Sequence, residues 1–238
     1  MSQQEQESIW GDTRYLDSVS AVAQDYKRRT FALLDARPGT RILDVGCGPG
    51  DDARALADLV GGGGRVVGVD VREEMIAQAR TRSAGTDLPV EFQVGSIYHL
   101  NFADEAFDGC RADRVFQHLE RPREALTEMV RVTRSGGRVV VFDIDWETLV
   151  IDTPERVVTR KILNYDCDIH ANGWAGRSLL RLFHTCGLRD IGVEAMTAII
   201  TDFATAKYLH GFDEMVKAAQ AGGIIAADEG QAWLASME

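Results

Sequence analysis

The chain has 238 residues, 45% of them hydrophobic and 26% charged, with a formal net charge of −11. These values suit one α/β domain carrying a cap, and exclude a fibrous or disordered chain. The acidic balance argues against a nucleic-acid partner, because Lys and Arg neutralising phosphates supply most of that affinity. Cys47, Cys110, Cys167 and Cys186 lie far apart with no C-x-x-C pair, so neither a zinc site nor a disulfide frame is indicated, and no metal is expected because no His/Asp/Glu cluster shows ligand spacing. The polar, acidic stretch Met1–Glu7 has no apolar run behind a basic region, unlike a secretory signal. Nor does any apolar run reach membrane-spanning length, so a cytoplasmic protein without membrane insertion is expected.

Taken in chain order, Leu16, Val19, Val22, Ala23, Tyr26, Phe31 and Leu34 recur at helical spacing between Tyr15 and Ala36. One or two helices are predicted there, ending at Arg37-Pro38-Gly39, and residues 1–36 read as an N-terminal helical lid. Tyr15 and Tyr26 serve either core packing or the cover of a ligand. Strands are predicted over 41–45, 65–69, 90–94, 107–112 and 138–144, with helices over 53–60, 71–82 and 120–133 between them. Five strands with helical crossovers make a parallel sheet covered on both faces. Beyond Asp145 the alternation stops. Helices are predicted over 154–170, 177–186 and 204–219 and in the last 15 or so residues, with Ile191–Thr201 as a sixth strand.

The most informative stretch is Arg41-Ile42-Leu43-Asp44-Val45-Gly46-Cys47-Gly48-Pro49-Gly50. An apolar strand runs into glycines at alternate positions, and Asp51-Asp52 then caps a helix predicted to begin at Ala53. Such glycines let backbone approach a ligand closely, with free helical N–H groups beside it. A dinucleotide fingerprint would place Gly or Ala where Asp51 stands. Asp44, Asp51 and Asp52 would repel a pyrophosphate and suit a ligand carrying an ammonium and a sulfonium. The bland alternative is a tight turn with no ligand at all.

With its context this stretch resembles the glycine-rich motif of the class I S-adenosylmethionine-dependent methyltransferases. The run Phe107–Leu119, with Leu126, Met129, Val132 and Ser135–Arg138, most closely resembles the small-molecule methyltransferases of ubiquinone and menaquinone biosynthesis. The likeness covers residues 38–145. It implies a Rossmann-like, doubly wound, mostly parallel sheet whose ligand lies at the carboxyl ends of the strands. The expected organisation is the lid followed by a donor-binding domain over 37–238, with a cap insertion at about 146–176. The chain ends at Met237-Glu238 without the strand that closes the sheet in this family, so either the sheet lacks its seventh strand or the sequence is truncated.

For the cofactor, S-adenosyl-L-methionine, the resemblance implies contacts from Asp44, Gly46, Cys47, Gly48 and Gly50. Asp70, 24 residues after Gly46, would take the ribose diol, and Val71 would lie against adenine. Ser96 stands where the family often has Asp, and with the Ile97 N–H it would serve the adenine edge. Asp113 and Arg114 would lie by the methionine end, and Gln117-His118 would face the transferred methyl. His118 is the candidate general base, because imidazole gives up a proton near neutral pH; a structural role is its alternative. Asp143 or Asp145 would orient a substrate hydroxyl or assist the histidine. Arg111, inside a strand, needs a partner, for which Asp108, Asp113 and Asp143 are candidates.

The acceptor is expected to be a small molecule, held by the N-terminal helices and 146–174. Trp146, Tyr165, His170 and Trp174 would make an aromatic wall or pack the cap, and His170 is a second candidate base. Rival readings are a nucleotide-dependent oxidoreductase, a protein or RNA methyltransferase, and a donor-binding protein repurposed as a cyclase or regulator. Whether two subunits pair as a homodimer is left open.

Overall fold

The computed structural model describes residues 24–238. The expectations for Tyr15, Leu16, Val19, Val22 and Ala23, and most of the 1–36 lid, lie outside the described residues. The elements are α1 (Gln24–Leu33), β1 (Arg41–Val45), α2 (Asp51–Val60), β2 (Arg65–Asp70), α3 (Glu73–Ser83), β3 (Val90–Val94) and β4 (Phe107–Asp113). A 3-10 turn (Phe116–His118) leads to α4 (Pro122–Val132), β5 (Thr133–Phe142) and a second 3-10 turn (Trp146–Thr148). Then follow α5 (Arg156–Ile169), α6 (Ala175–Thr185), α7 (Phe203–His210), α8 (Phe212–Ala221) and α9 (Ala227–Ala235).

The described chain forms two compact units. Asp25–Ile144 with Ala175–Val193 builds the sheet unit; Asp145–Trp174 with Glu194–Glu238 builds a helical unit. In the first, five parallel strands lie in the order β3-β2-β1-β4-β5. The chain therefore reverses direction across the sheet between β1 and β4, which makes a crevice at their carboxyl ends.

Strand periodicity assigns the two faces. Leu43, Val45, Val67, Val69, Cys110 and Ala112 point to one side and bury against α4 residues such as Leu126 and Met129. Ile42 and Val66 point to the other side, with Leu56, Val60, Ile76 and Ala79 of α2 and α3 and Phe31 of α1. Each fully buried side chain of this size stabilises the fold by roughly 1.5–3 kcal/mol. By the same alternation Asp44 shares the face of Ile42. Arg111 stands in register with Asp44 on the neighbouring strand, so the two charges are placed side by side under α1 and α2.

Several boundaries differ from expectation. Helix α2 starts at Asp51, not Ala53, because left-handed Gly50 (φ +84°) already ends the turn; no side chain caps it. Strand β5 starts at Thr133, with Gly136 and Gly137 inside it, since pairing with Phe107 extends it across an irregularity in register.

The sixth strand over Ile191–Thr201 does not form. Its exposed apolar residues Val193, Met196 and Ile199 fall three apart, so the segment has no continuous face to bury as a strand would. The helix expected over 204–219 is two helices, broken at Gly211 in the left-handed region (φ +63°). In the helical unit Trp233 is fully buried, donates its indole N–H to Thr159 at 2.8 Å and meets Phe212 edge-on at 5.4 Å. Among the described residues no helix is long and apolar enough to cross a membrane.

Candidate functional site

The residues singled out at β1 through β4 all come to the carboxyl edge of the sheet unit. Gly46, Gly48 and Gly50 all have positive φ, but for different reasons. A Cβ on Gly46 would stand 2.3 Å from Val115, and one on Gly50 would stand 2.7 Å from Phe92. These two glycines serve close packing. A Cβ on Gly48 would meet nothing within 4 Å, so this is the open face of the turn, free for a ligand to approach.

The N–H groups of this turn are already engaged. Gly46 and Cys47 donate to the Val69 carbonyl at 2.7 and 3.0 Å, Gly48 to the Asp70 carboxylate at 2.9 Å, and Gly50 to the Cys47 carbonyl at 3.1 Å. Pro49 has none to give. A turn so committed has no donor of its own for a phosphate, whereas a phosphate-binding loop needs several. The Cys47 side chain is packed into the core, where burial pushes its thiol up, so only its backbone belongs to the turn.

Charge repulsion, which the sequence suggested as the reason to exclude pyrophosphate, is corrected by the structure. Asp51 is bridged by Arg54 and by Arg82 at 2.7 Å. Asp52 is held by Lys27 at 2.9 Å and Arg111 at 3.0 Å. Burial works to raise Asp52, but Arg111 and Lys27 keep its carboxyl below the usual range. Arg111 is 1% exposed and also binds Asp44 at 3.0 Å, Asp113 at 2.6 Å and the Thr30 hydroxyl at 3.1 Å. Of its three expected partners only Asp113 is found; Asp108 pairs instead with Arg134 at 2.7 Å. Apart from Arg54, the cations that neutralise the turn come from other strands and helices, which a count of local acids misses.

Asp44 keeps one oxygen uncommitted. Its Oδ1 accepts from Arg111, while Oδ2 is buried without a hydrogen-bond partner among the described residues. Burial pushes this carboxyl up to about 6, with Arg111 pulling against it. Asp70 accepts from the Gly48 and Arg72 N–H groups, one at each oxygen at 2.9 Å. A carboxylate has about four acceptor sites, so the remaining lone pairs can take a diol. Val71 beside it is 70% exposed, an apolar surface awaiting a partner. Ser96 accepts from the Tyr98 N–H at 3.2 Å, and Ile97 is buried.

At the exit of β4, Asp113 also receives the Tyr26 hydroxyl at 3.3 Å, and Tyr26 stacks on Phe142 at 4.0 Å. Burial, then Asp113, drives the Tyr26 phenol far up, so it donates and does not ionise. Arg114 adopts φ +56°, a strained conformation for a side-chain-bearing residue and of the kind that gathers at functional sites.

Gln117 is buried and donates to the Arg114 carbonyl at 3.2 Å, while His118 is exposed at the end of the 3-10 turn. Asp143 holds that turn: it accepts from the Phe116 N–H at 2.6 Å and the Ile144 N–H at 2.9 Å. Burial pushes Asp143 up to about 7 against those hydrogen bonds. In the helical unit, Trp146 is buried and stacks on His170 at 4.6 Å, and Tyr165 packs closely against Gly222. Trp174 is 53% exposed. His170 Nδ1 contacts the Asp166 carbonyl at 2.6 Å, which ties the ring to its own helix.

The open face at Gly48, the bare oxygen of Asp44 and the diol-ready Asp70 fit a sulfonium nucleoside with an amino-acid tail. The fold and this edge define a class I S-adenosylmethionine-dependent methyltransferase domain. Residues 36–184 match the family described as "Methyltransferase domain", and the chain belongs to that family, with S-adenosylmethionine as its cofactor. An uncharacterised 37.1 kDa protein of a Streptomyces fradiae transposon is 39% identical, over 94% of this chain and 65% of its own length. A demethylmenaquinone methyltransferase of Bacillus cereus is 32% identical, over 52% of this chain and 53% of its own. The chain thus spans between half and two-thirds of these relatives. The YcgJ protein of Bacillus subtilis shares the fold, with a TM-score of 0.63 at 19% identity over 82% of this chain and 83% of that one.

Proposed function

We propose that the protein transfers the methyl group of S-adenosylmethionine to an oxygen, carbon or nitrogen of a small-molecule acceptor, in secondary-metabolite or quinone-like biosynthesis. The observation that carries this reading is the turn at 46–50, which directs its N–H groups inward beneath an open face and leaves Asp44 Oδ2 bare. A relative named for demethylmenaquinone supports the acceptor class.

The donor supplies a methyl group on a good leaving group, so the protein's part is chiefly alignment. Asp70 and Val71 hold the nucleoside end, with Ser96 and the Ile97 N–H at the adenine edge. Asp44, Asp113 and Arg114 hold the amino-acid end. His118 takes the proton from acceptors that must shed one, presented on a turn that Asp143 fixes.

Incubation with isotope-labelled donor and a panel of hydroxy-aromatic and quinol acceptors tests the reaction. Label in an acceptor supports it; donor binding with no label moved into any acceptor would mark a repurposed donor-binding protein. His118→Ala is expected to lower turnover about 100-fold or more while donor affinity is unchanged.

A further inference from the structure

Arg111 needs partners inside its strand, and the partners it finds are unevenly satisfied. Its Nε reaches Thr30, its Nη1 reaches Asp44, and its Nη2 is shared by Asp52 and Asp113; the Phe31 ring lies 5.1 Å away. Asp52 has Lys27 as a second donor, and Asp113 has the Tyr26 hydroxyl, with Arg114 at 3.7 Å. Among the described residues Asp44 has only Arg111, and its second oxygen is buried and unpaired. Satisfying the guanidinium does not require this arrangement. Leaving a buried carboxylate oxygen unpaired costs free energy, and a donor that arrives with a ligand recovers it.

We propose that Arg111 is a positioning residue for donor recognition: by occupying one oxygen of Asp44 it keeps that carboxylate ionised and presents the other oxygen to the α-ammonium of S-adenosylmethionine. The inference rests on the donor-binding reading above. Without the guanidinium, a buried acid beside Asp52 and Asp113 takes up a proton and offers an O–H where the ammonium needs an acceptor. Lysine is a poor replacement, because a point charge cannot bridge three carboxylates as the planar fork does.

Calorimetry with S-adenosylhomocysteine and its desamino analogue, on wild type, Arg111→Met and Arg111→Lys, tests this. Wild type is expected to prefer the amino form by about ten- to a hundred-fold. In Arg111→Met that preference falls to within about two-fold, while affinity for the desamino analogue stays within a few-fold. Arg111→Lys retains part of the preference. Equal losses for both ligands, with the preference intact, overturn the proposal and leave Arg111 purely structural. Equal affinity of wild type for both ligands overturns it without any variant, so an Arg111→Met protein that fails to fold does not shield it. Wild type binding neither ligand overturns the donor-site reading itself, and this inference with it.

Discussion

Two carboxylates, Asp44 buried and Asp143 half-buried, stand at the same edge of the sheet unit, and they are satisfied in opposite ways. Among the described residues, Asp44 faces a guanidinium and keeps one oxygen bare, whereas Asp143 has no cation bonded to it, yet both its oxygens accept backbone N–H groups. Burial raises both, to about 6 and about 7. The difference separates two jobs. A carboxylate saturated by backbone amides is a brace for the chain around it, here the turn bearing His118. A carboxylate held by one charge and left half-free is an acceptor in waiting.

The largest expected effect breaks the ground both groups stand on. Gly46→Ala adds a Cβ 2.3 Å from Val115 at φ +71°, and should cost about 3 kcal/mol by urea denaturation. Gly48→Ala, with the same handedness but open space, should cost only about 1 kcal/mol while weakening donor binding. Next comes Asp44→Asn, expected to weaken S-adenosylhomocysteine about ten- to a hundred-fold, or about 1.4–2.7 kcal/mol by calorimetry. A cationic ligand selects ionised Asp44, so wild-type affinity should fall as pH drops below about 6, and the variant should lose that slope.

Asp143→Asn comes third, costing about 1 kcal/mol through one lost amide acceptor. The native carboxyl of Asp143 is raised, so its favourable contribution is complete at about pH 4 and is lost as pH rises through about 7. The stability gap between wild type and Asp143→Asn should therefore narrow between those limits, read from urea midpoints. A gap that widened would mean that Asp143 braces the turn as an ion. His118→Ala should have the smallest effect on folding, within about 0.5 kcal/mol, since the ring is exposed. Loss of turnover in that variant would then be chemistry and not collapse.

Much of this was readable before any coordinates. The strands over 41–45 and 90–94 lie where predicted, and Met75, Ile76 and Ala79 are buried as their spacing implied. The glycine turn stands out because only glycine tolerates both positive φ and such close backbone contact. Other features were illegible for identifiable reasons. The strand over 191–201 failed because its apolar residues Val193, Met196 and Ile199 fall three apart and so do not share one face of a strand. Gly211 divides one long periodic segment because its conformation interrupts the helix without interrupting the apolar pattern.

The one-dimensional chain determined the alternation of strands and helices, the turn and the set of residues at the strand ends, because these follow from periodicity and backbone freedom over a few neighbours. Which acids are neutralised was decided only in three dimensions. Asp44 and Arg111 are 67 positions apart and meet because two strands pair in one particular register, beneath helices that bring Thr30 and Asp52 to the same guanidinium. Charge acts through space and in proportion to burial, and neither quantity is written in the order of residues.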